Sequence, residues 1–255
     1  MMKKPSLAAS ASVLGLALTI VPVSEARADE LQVLAGGGIT GPLKELAPQL
    51  ENASGHKLVI RYGTTPELIK LATSGGPFDV AVVPREVYKD AGAQAKFTSA
   101  PNITFARVGL GVAVRAGAPK PDISTPEALK QTLLKAQSIA TIPASAAGAQ
   151  VLRAFDKLGI GEAMKAKTKA QPGPAQIVEA VAKGDAELGV FLANVITAPG
   201  LDFVGPFPAE VQQEIVFDAA VAANAKDGKA AKAFIDFITT PSAAAVVKAK
   251  GMTPG

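Results

Sequence analysis

Three glycine- and hydroxyl-bearing segments hold most of the polar chemistry of this 255-residue chain: Gly36-Gly37-Gly38-Ile39-Thr40-Gly41, Gly63-Thr64-Thr65-Pro66-Glu67 and Pro143-Ala144-Ser145-Ala146-Ala147-Gly148. Each stands between an apolar run that reads as a strand and an amphipathic run that reads as a helix. Backbone N–H groups at such a junction point outward with the positive end of the helix dipole, worth about half a unit charge, and they attract small anions. Gly37 and Gly38 leave the backbone open to such an approach, Ala147 offers an amide, and Thr64, Thr65 and Ser145 add hydroxyls. A fourth junction, Gln171-Pro172-Gly173-Pro174, opens another helix. The same residues also suit plain structural work. Thr64 and Glu67 have capping-box spacing, Thr65 before Pro66 fits an N-cap with proline at the first helical position, and the glycines fit a tight turn.

Other chemistries are poorly provided for. There is no Cys and a single histidine, His56, so thiol catalysis, disulfides and the common zinc sites are excluded. Gly36-x-Gly38-x-x-Gly41 formally fits a dinucleotide fingerprint, but Arg61-Tyr62 replaces the acidic residue expected at the end of the second strand. Arg61 could still meet the phosphate of a 2′-phosphorylated cofactor, yet the expectation is no cofactor. No G-x-S-x-G occurs, His56 precedes a strand on the edge opposite the glycine loops, and no acidic cluster has metal-ligand spacing, so an enzyme is not expected and no cation site is assigned. The absence of Trp, with ten Phe and two Tyr, argues against stacking on sugars. A formal charge of +4 without a basic run beyond Lys3-Lys4 argues against nucleic acid.

The elements that would position these loops follow an α/β rhythm. Strands are predicted at 31–35, 57–62, 79–83, 138–142, 188–192 and about 202–204. Helices are predicted at 40–52, 66–73, 86–91, 126–136, 147–158, 175–183, 229–239 and 242–251. Strands joined by helices imply right-handed crossovers and mainly parallel sheets, with ligands at the strands' carboxyl ends. Two long extended stretches, 105–115 and 214–223, bracket the middle block. They suggest two lobes joined by two crossover strands: 29–108, then 109–216, then 217–255 returning to the first. One continuous domain is the alternative. Residues 1–28 read as a secretory signal: Lys3 and Lys4, an apolar stretch from Leu7 to Val23, and Ala26-Arg27-Ala28 ahead of cleavage. Loss of this segment leaves a formal charge near +2, and a soluble product is expected.

Together the segments resemble the molybdate-type solute-binding proteins of ABC transporters, which have the type II periplasmic-binding fold. The resemblance covers nearly all of the chain after the signal. It is carried by LQVLAGGGITGPLKELAPQLENASGHKLVIRYGTTPELIKLATSGGPFDVAVVP, SAAGAQVLRAFDKLG, AVAKGDAELGVFLAN and KAFIDFITTPSAAAVVKAKGM. It implies a periplasmic, monomeric receptor that closes on a tetrahedral oxyanion such as molybdate or tungstate and delivers it to an inner-membrane permease. It also implies ligand contacts at Gly38, Thr65, Ala147, about Pro174, and Leu192. Only Thr65 keeps a hydroxyl among the positions where the family places one. Gly38 offers an amide alone, Pro174 has none, and Leu192 cannot replace a phenol. Thr40, Thr64, Ser145 or Asn194 are the candidate substitutes. Arg85, where the family usually has an acidic residue, fits a solvated surface arginine or, alternatively, a guanidinium gripping a different anion, an organic acid or a phosphate-type compound.

Overall fold

In the computed structural model, residues 30–98 and 103–255 are described; the predicted signal segment lies outside the described residues. The first unit is β1 (Glu30–Gly36), α1 (Thr40–Ser54), β2 (Lys57–Gly63), α2 (Thr65–Thr73) and β3 (Val80–Pro84). β1 lies between β2 and β3, parallel to both. Every residue of β3 is buried, as expected of a short Val/Ala run covered on both faces. α1 turns Leu43, Leu46 and Leu50 inward at helical spacing and stops at Gly55, whose φ of 73° closes the helix in the left-handed region.

The helix predicted at 86–91 is a correction. The chain there forms a 3₁₀ turn over Arg85–Lys89 and then the short α3 (Ala91–Gln94). Val87 and Tyr88 are drawn into a local cluster, where the Tyr88 and Phe78 rings meet Phe97 edge to face, and Asp90 restarts the helix by accepting from the Ala93 N–H.

The second unit comprises α4 (Pro126–Lys135), β5 (Ile139–Thr141), α5 (Ala146–Lys157), α6 (Gly161–Lys165), β6 (Thr168–Ala170), α7 (Pro174–Lys183), β7 (Leu188–Leu192), α8 (Ala193–Ile196) and β8 (Leu201–Pro206). It follows the long β4 (Ile103–Arg115) and is followed by β9 (Glu214–Val221), α9 (Gly228–Ile238), α10 (Pro241–Ala249) and β10 (Thr253–Pro254). The strand order is β2-β1-β3-β9-β4-β7-β5-β6, with β8 and β10 also on β4. The outer strands are parallel, whereas β4 and β9 run antiparallel to every neighbour, so the sheet is mixed. Three short elements, α6, β6 and α8, carry too little periodic pattern to be read from sequence.

β4 changes partners midway. Ile103–Gly109 pairs with β9, and Leu110–Arg115 pairs with β7 and β8. At the changeover the Gln212 amide stands in for a strand: its Oε1 accepts from the Leu110 N–H at 2.7 Å and its Nε2 donates to the Leu110 carbonyl at 2.9 Å. The backbone groups freed by the exchange are thereby satisfied. One apolar cluster runs from Leu31 through β4 and β7 to Phe217 and the C-terminal helices.

Candidate functional site

Five strand ends converge. β1, β2, β3, β5 and β7 lead respectively into Gly37-Gly38, Thr64-Thr65, the end of β3 at Pro84, Ile142 with Ser145 to Ala147, and Leu192, and all of these line one inner cavity of about 30 Å³. Carboxyl ends of strands from both units thus face one another, the placement expected of a ligand site in α/β sheets. Pro174 at the start of α7 also reaches this cavity, and Phe191, Ile215 and Phe217 complete its wall. A larger cleft of about 810 Å³ adjoins it, sharing Gly37, Gly38, Gly63, Thr64 and Pro174, with Lys44, Glu67, Gln176, Asn194 and Lys248 farther out.

Of the residues singled out in the sequence, Gly37, Gly38, Thr64, Thr65, Ser145, Ala147 and Leu192 stand together in the inner wall. Their polar groups are not equally free. The Ser145 hydroxyl donates to the Ile142 carbonyl at 2.8 Å and accepts from the Gly148 N–H at 2.9 Å, so it is spent on capping α5. The Thr64 N–H and hydroxyl both donate to Glu67 Oε2, at 2.7 and 2.8 Å. Those bonds, the backbone one foremost, hold the Glu67 carboxyl below its usual range. Thr65 differs. Its Oγ1 accepts from the Ala146 N–H at 3.0 Å, across from the start of α5, and its own hydrogen meets no acceptor among the described residues. An amide at a helix start therefore polarises a hydroxyl that is still able to donate. The amides of Gly37 and Gly38 open a 3₁₀ turn, and that of Ala147 lies in the first turn of α5, where N–H groups have no intrahelical acceptor.

Leu192 and Phe217 supply the opposite character. A Cβ on Gly38 would lie 2.6 Å from Leu192 Cδ1 and 3.0 Å from Phe217 Cζ, so the apolar side chains occupy the space a larger residue at 38 would need. The Gly38 carbonyl is held by the Asn194 side-chain amide at 2.8 Å, a second bond between the two units, while Asn194 Oδ1 is buried without a partner. No titratable side chain lines the inner cavity. A group bound there would meet backbone amides and hydroxyls rather than a charged side chain.

Arg85 lies elsewhere. Its Nε donates to Asp218 Oδ2 at 2.7 Å and its Nη2 to Oδ1 at 3.1 Å; it lines neither the inner cavity nor the outer cleft. The guanidinium neutralises the buried Asp218, which also accepts from the Thr104 hydroxyl at 2.9 Å. Sequence reasoning placed Arg85 at a strand's carboxyl end, which is right, but could not see its partner 133 residues away. It also missed Phe217 and Phe191, because an apolar extended stretch does not announce which side chain will face a loop from the other end of the chain.

The bacterial extracellular solute-binding protein family matches residues 31–253. The chain belongs to that family. It is similar to an aconitate isomerase from Pseudomonas sp., 34% identical over 232 residues that cover 88% of this chain and 87% of the relative. A molybdate-binding protein of Azotobacter vinelandii is 32% identical over 238 residues, covering 89% and 90%. The solved Azotobacter vinelandii periplasmic molybdate-binding protein superposes with a TM-score of 0.74 at 22% identity, covering 88% of this chain and 99% of that one, which shows the shared type II periplasmic-binding fold. This family member therefore combines the type II periplasmic-binding fold with an inner wall in which Phe191, Leu192, Ile215 and Phe217 stand beside backbone amides.

Proposed function

We propose that this family member is an exported, monomeric receptor of an ABC importer. Residues 29–108 and 217–255 form one lobe and 109–216 the other. The lobes close on a small anion at the inner cavity, and the loaded protein hands it to an inner-membrane permease from the periplasm. The molybdate-binding relatives support the receptor reading. The ligand that the walls support best is a small organic acid bound through one carboxylate.

The observation carrying that choice is the plug formed by Leu192 and Phe217 against Gly38. A tetrahedral oxyanion such as molybdate or tungstate presents oxygen on every side, and each hydrogen bond to a charged group contributes about 1.5–3 kcal/mol. Here the amides of Gly37, Gly38 and Ala147 and the Thr65 hydroxyl offer donors in the same wall in which Phe191, Leu192, Ile215 and Phe217 offer carbon. A carboxylate has the same mixed character, with two oxygens to accept hydrogen bonds and a carbon that needs none. The relative named for aconitate, a tricarboxylate, supports this reading. Arg85 plays no part in it. Molybdate or tungstate is the second reading, favoured by the Thr65 hydroxyl and Ala147 amide at positions where the resemblance places ligand contacts.

The isomerase relative raises the question of turnover. Shifting a proton along a carbon skeleton requires a base within about 3 Å of the substrate, and the inner wall holds no such side chain. The inner wall therefore supports binding rather than turnover.

The test is a melting series on the protein without its signal segment, adding molybdate, tungstate, sulfate, phosphate, acetate and aconitate in turn. A ligand at about 100 times its dissociation constant adds about 2.7 kcal/mol of stability. A shift with a carboxylate and none with molybdate or tungstate supports the proposal, and the opposite pattern overturns it. Proton NMR of the aconitate sample separates the classes, since appearance of the other isomer would make the protein an enzyme.

A further inference from the structure

The inner cavity and the outer cleft differ about 27-fold in volume, 30 against 810 Å³, yet share five wall residues and so form one continuous space. The inner part admits a single functional group. Anything attached to that group must emerge past Gly63, Thr64 and Pro174 into the outer cleft. The outer cleft differs from the inner one in charge. Lys44, from the first turns of α1, and Lys248, from the last turn of α10, both line it, and no carboxylate forms an ion pair with either among the described residues. Lys250, on the same rim, is neutralised by Glu45 at 2.7 Å. Glu67, the cleft's acidic side chain, is engaged by Thr64 and faces the inner end of the space through that bond. Two cations without an ion-pair partner among the described residues, lining one cleft, create a field that favours a second negative charge on the same ligand. Gln176, in the first turn of α7, adds a neutral polar group to the same wall.

We propose that the outer cleft holds the distal carboxylate of a di- or tricarboxylic acid whose first carboxylate occupies the inner cavity, with Lys44 and Lys248 as its counter-charges. The inference rests on the carboxylate reading of the inner cavity and adds to it a ligand length and a second charge. The two sites have different physics. The inner one binds through dipoles and is insensitive to salt, whereas the outer one uses exposed lysines and weakens as ionic strength rises.

Titration calorimetry on the protein without its signal segment tests this with matched acids: acetate, propionate and butyrate against succinate, glutarate and propane-1,2,3-tricarboxylate, each at low and at physiological ionic strength. The expected result is that diacids bind about tenfold tighter than monoacids of similar length at low salt, with that advantage shrinking as salt is added. The double variant Lys44→Met/Lys248→Met should lose about three- to tenfold in diacid affinity and leave monoacid affinity unchanged, while Lys44→Arg/Lys248→Arg retains the advantage. Melting of the unliganded variants checks that they fold alike. Equal affinities for mono- and diacids, or a diacid affinity indifferent to both lysines, overturns the outer subsite and leaves the inner reading standing. If no carboxylate binds and molybdate does, the inner reading itself falls, and this inference with it.

Discussion

Gly38 and Leu192 are matched to one another in space: the leucine methyl occupies the place where a side chain at 38 would begin. Changing one residue without the other is therefore costly. Gly38→Ser should destabilise the protein by about 1–3 kcal/mol through overpacking against Leu192 and Phe217, both nearly fully buried. Leu192→Ala alone should cost about 2–5 kcal/mol by opening a cavity. The double variant should be more stable than the sum of the two losses predicts, by at least about 1 kcal/mol, in urea unfolding. Strict additivity would show that the two side chains do not compete for the same space. Thr65 makes a different kind of contribution. Thr65→Val keeps the shape and removes the hydroxyl that accepts from Ala146 and remains able to donate. The expected outcome is about a tenfold to hundredfold loss in anion affinity, the range for one hydrogen bond to a charged group, read by titration calorimetry with whichever anion the melting series selects.

At the scale of elements, the same capping residues that make helices start also decide which polar groups remain for a ligand. α2 begins with a capping box closed by Glu67, and α5 begins with Ser145 bonded at both its oxygen functions. The Glu67 carboxyl lies below its ordinary range in the folded protein, so its contribution to stability is present above the unfolded value of about 4.3 and is lost as pH falls through the lower folded value. Glu67→Gln should therefore destabilise the protein slightly at pH 7, by less than about 1 kcal/mol at this exposed site, read as a small drop in melting temperature. The difference from the parent protein should vanish in strong acid; a difference that persists there would place the effect outside ionisation. Gly148 shows how tightly one such element is seated, because a Cβ there would overlap the Ile142 carbonyl. Only glycine permits α5 to approach β5 closely enough to bring Ala147 to the cavity.

At the scale of the whole molecule, the decisive features lie where distant segments meet. Gln212 bridges the point at which β4 changes partners, and Arg85, Asp218 and Thr104 tie the end of β3 to β9 and β4 six residues away along β4. Arg85→Met should leave the buried Asp218 short of its cation and destabilise the fold by about 2 kcal/mol, less than the full cost of breaking a buried pair because the arginine is half exposed. Anion affinity should be unchanged. A variant of normal stability that lost binding would return Arg85 to the ligand site.

The order of strands and helices was legible because apolar runs with period two and amphipathic runs with period 3.6 alternate along the chain, and because glycines and capping hydroxyls mark the junctions. Those local signals also identified Gly37, Gly38, Thr64, Thr65, Ser145 and Ala147 in the wall of the inner cavity, since a parallel arrangement puts every strand-to-helix junction at one edge, whereas Leu192 was named by the family resemblance alone. They could not assign the antiparallel placement of β4 and β9, the closing of Arg85 on Asp218, or the insertion of Leu192 and Phe217 beside Gly38. Each of those depends on side chains far apart in sequence coming within a few ångströms, and local periodicity carries no term for such contacts. The sequence alone determined that strand-to-helix junctions bearing glycines and hydroxyls share one sheet edge; the tertiary contacts decided that Phe191, Leu192, Ile215 and Phe217 stand in the same wall.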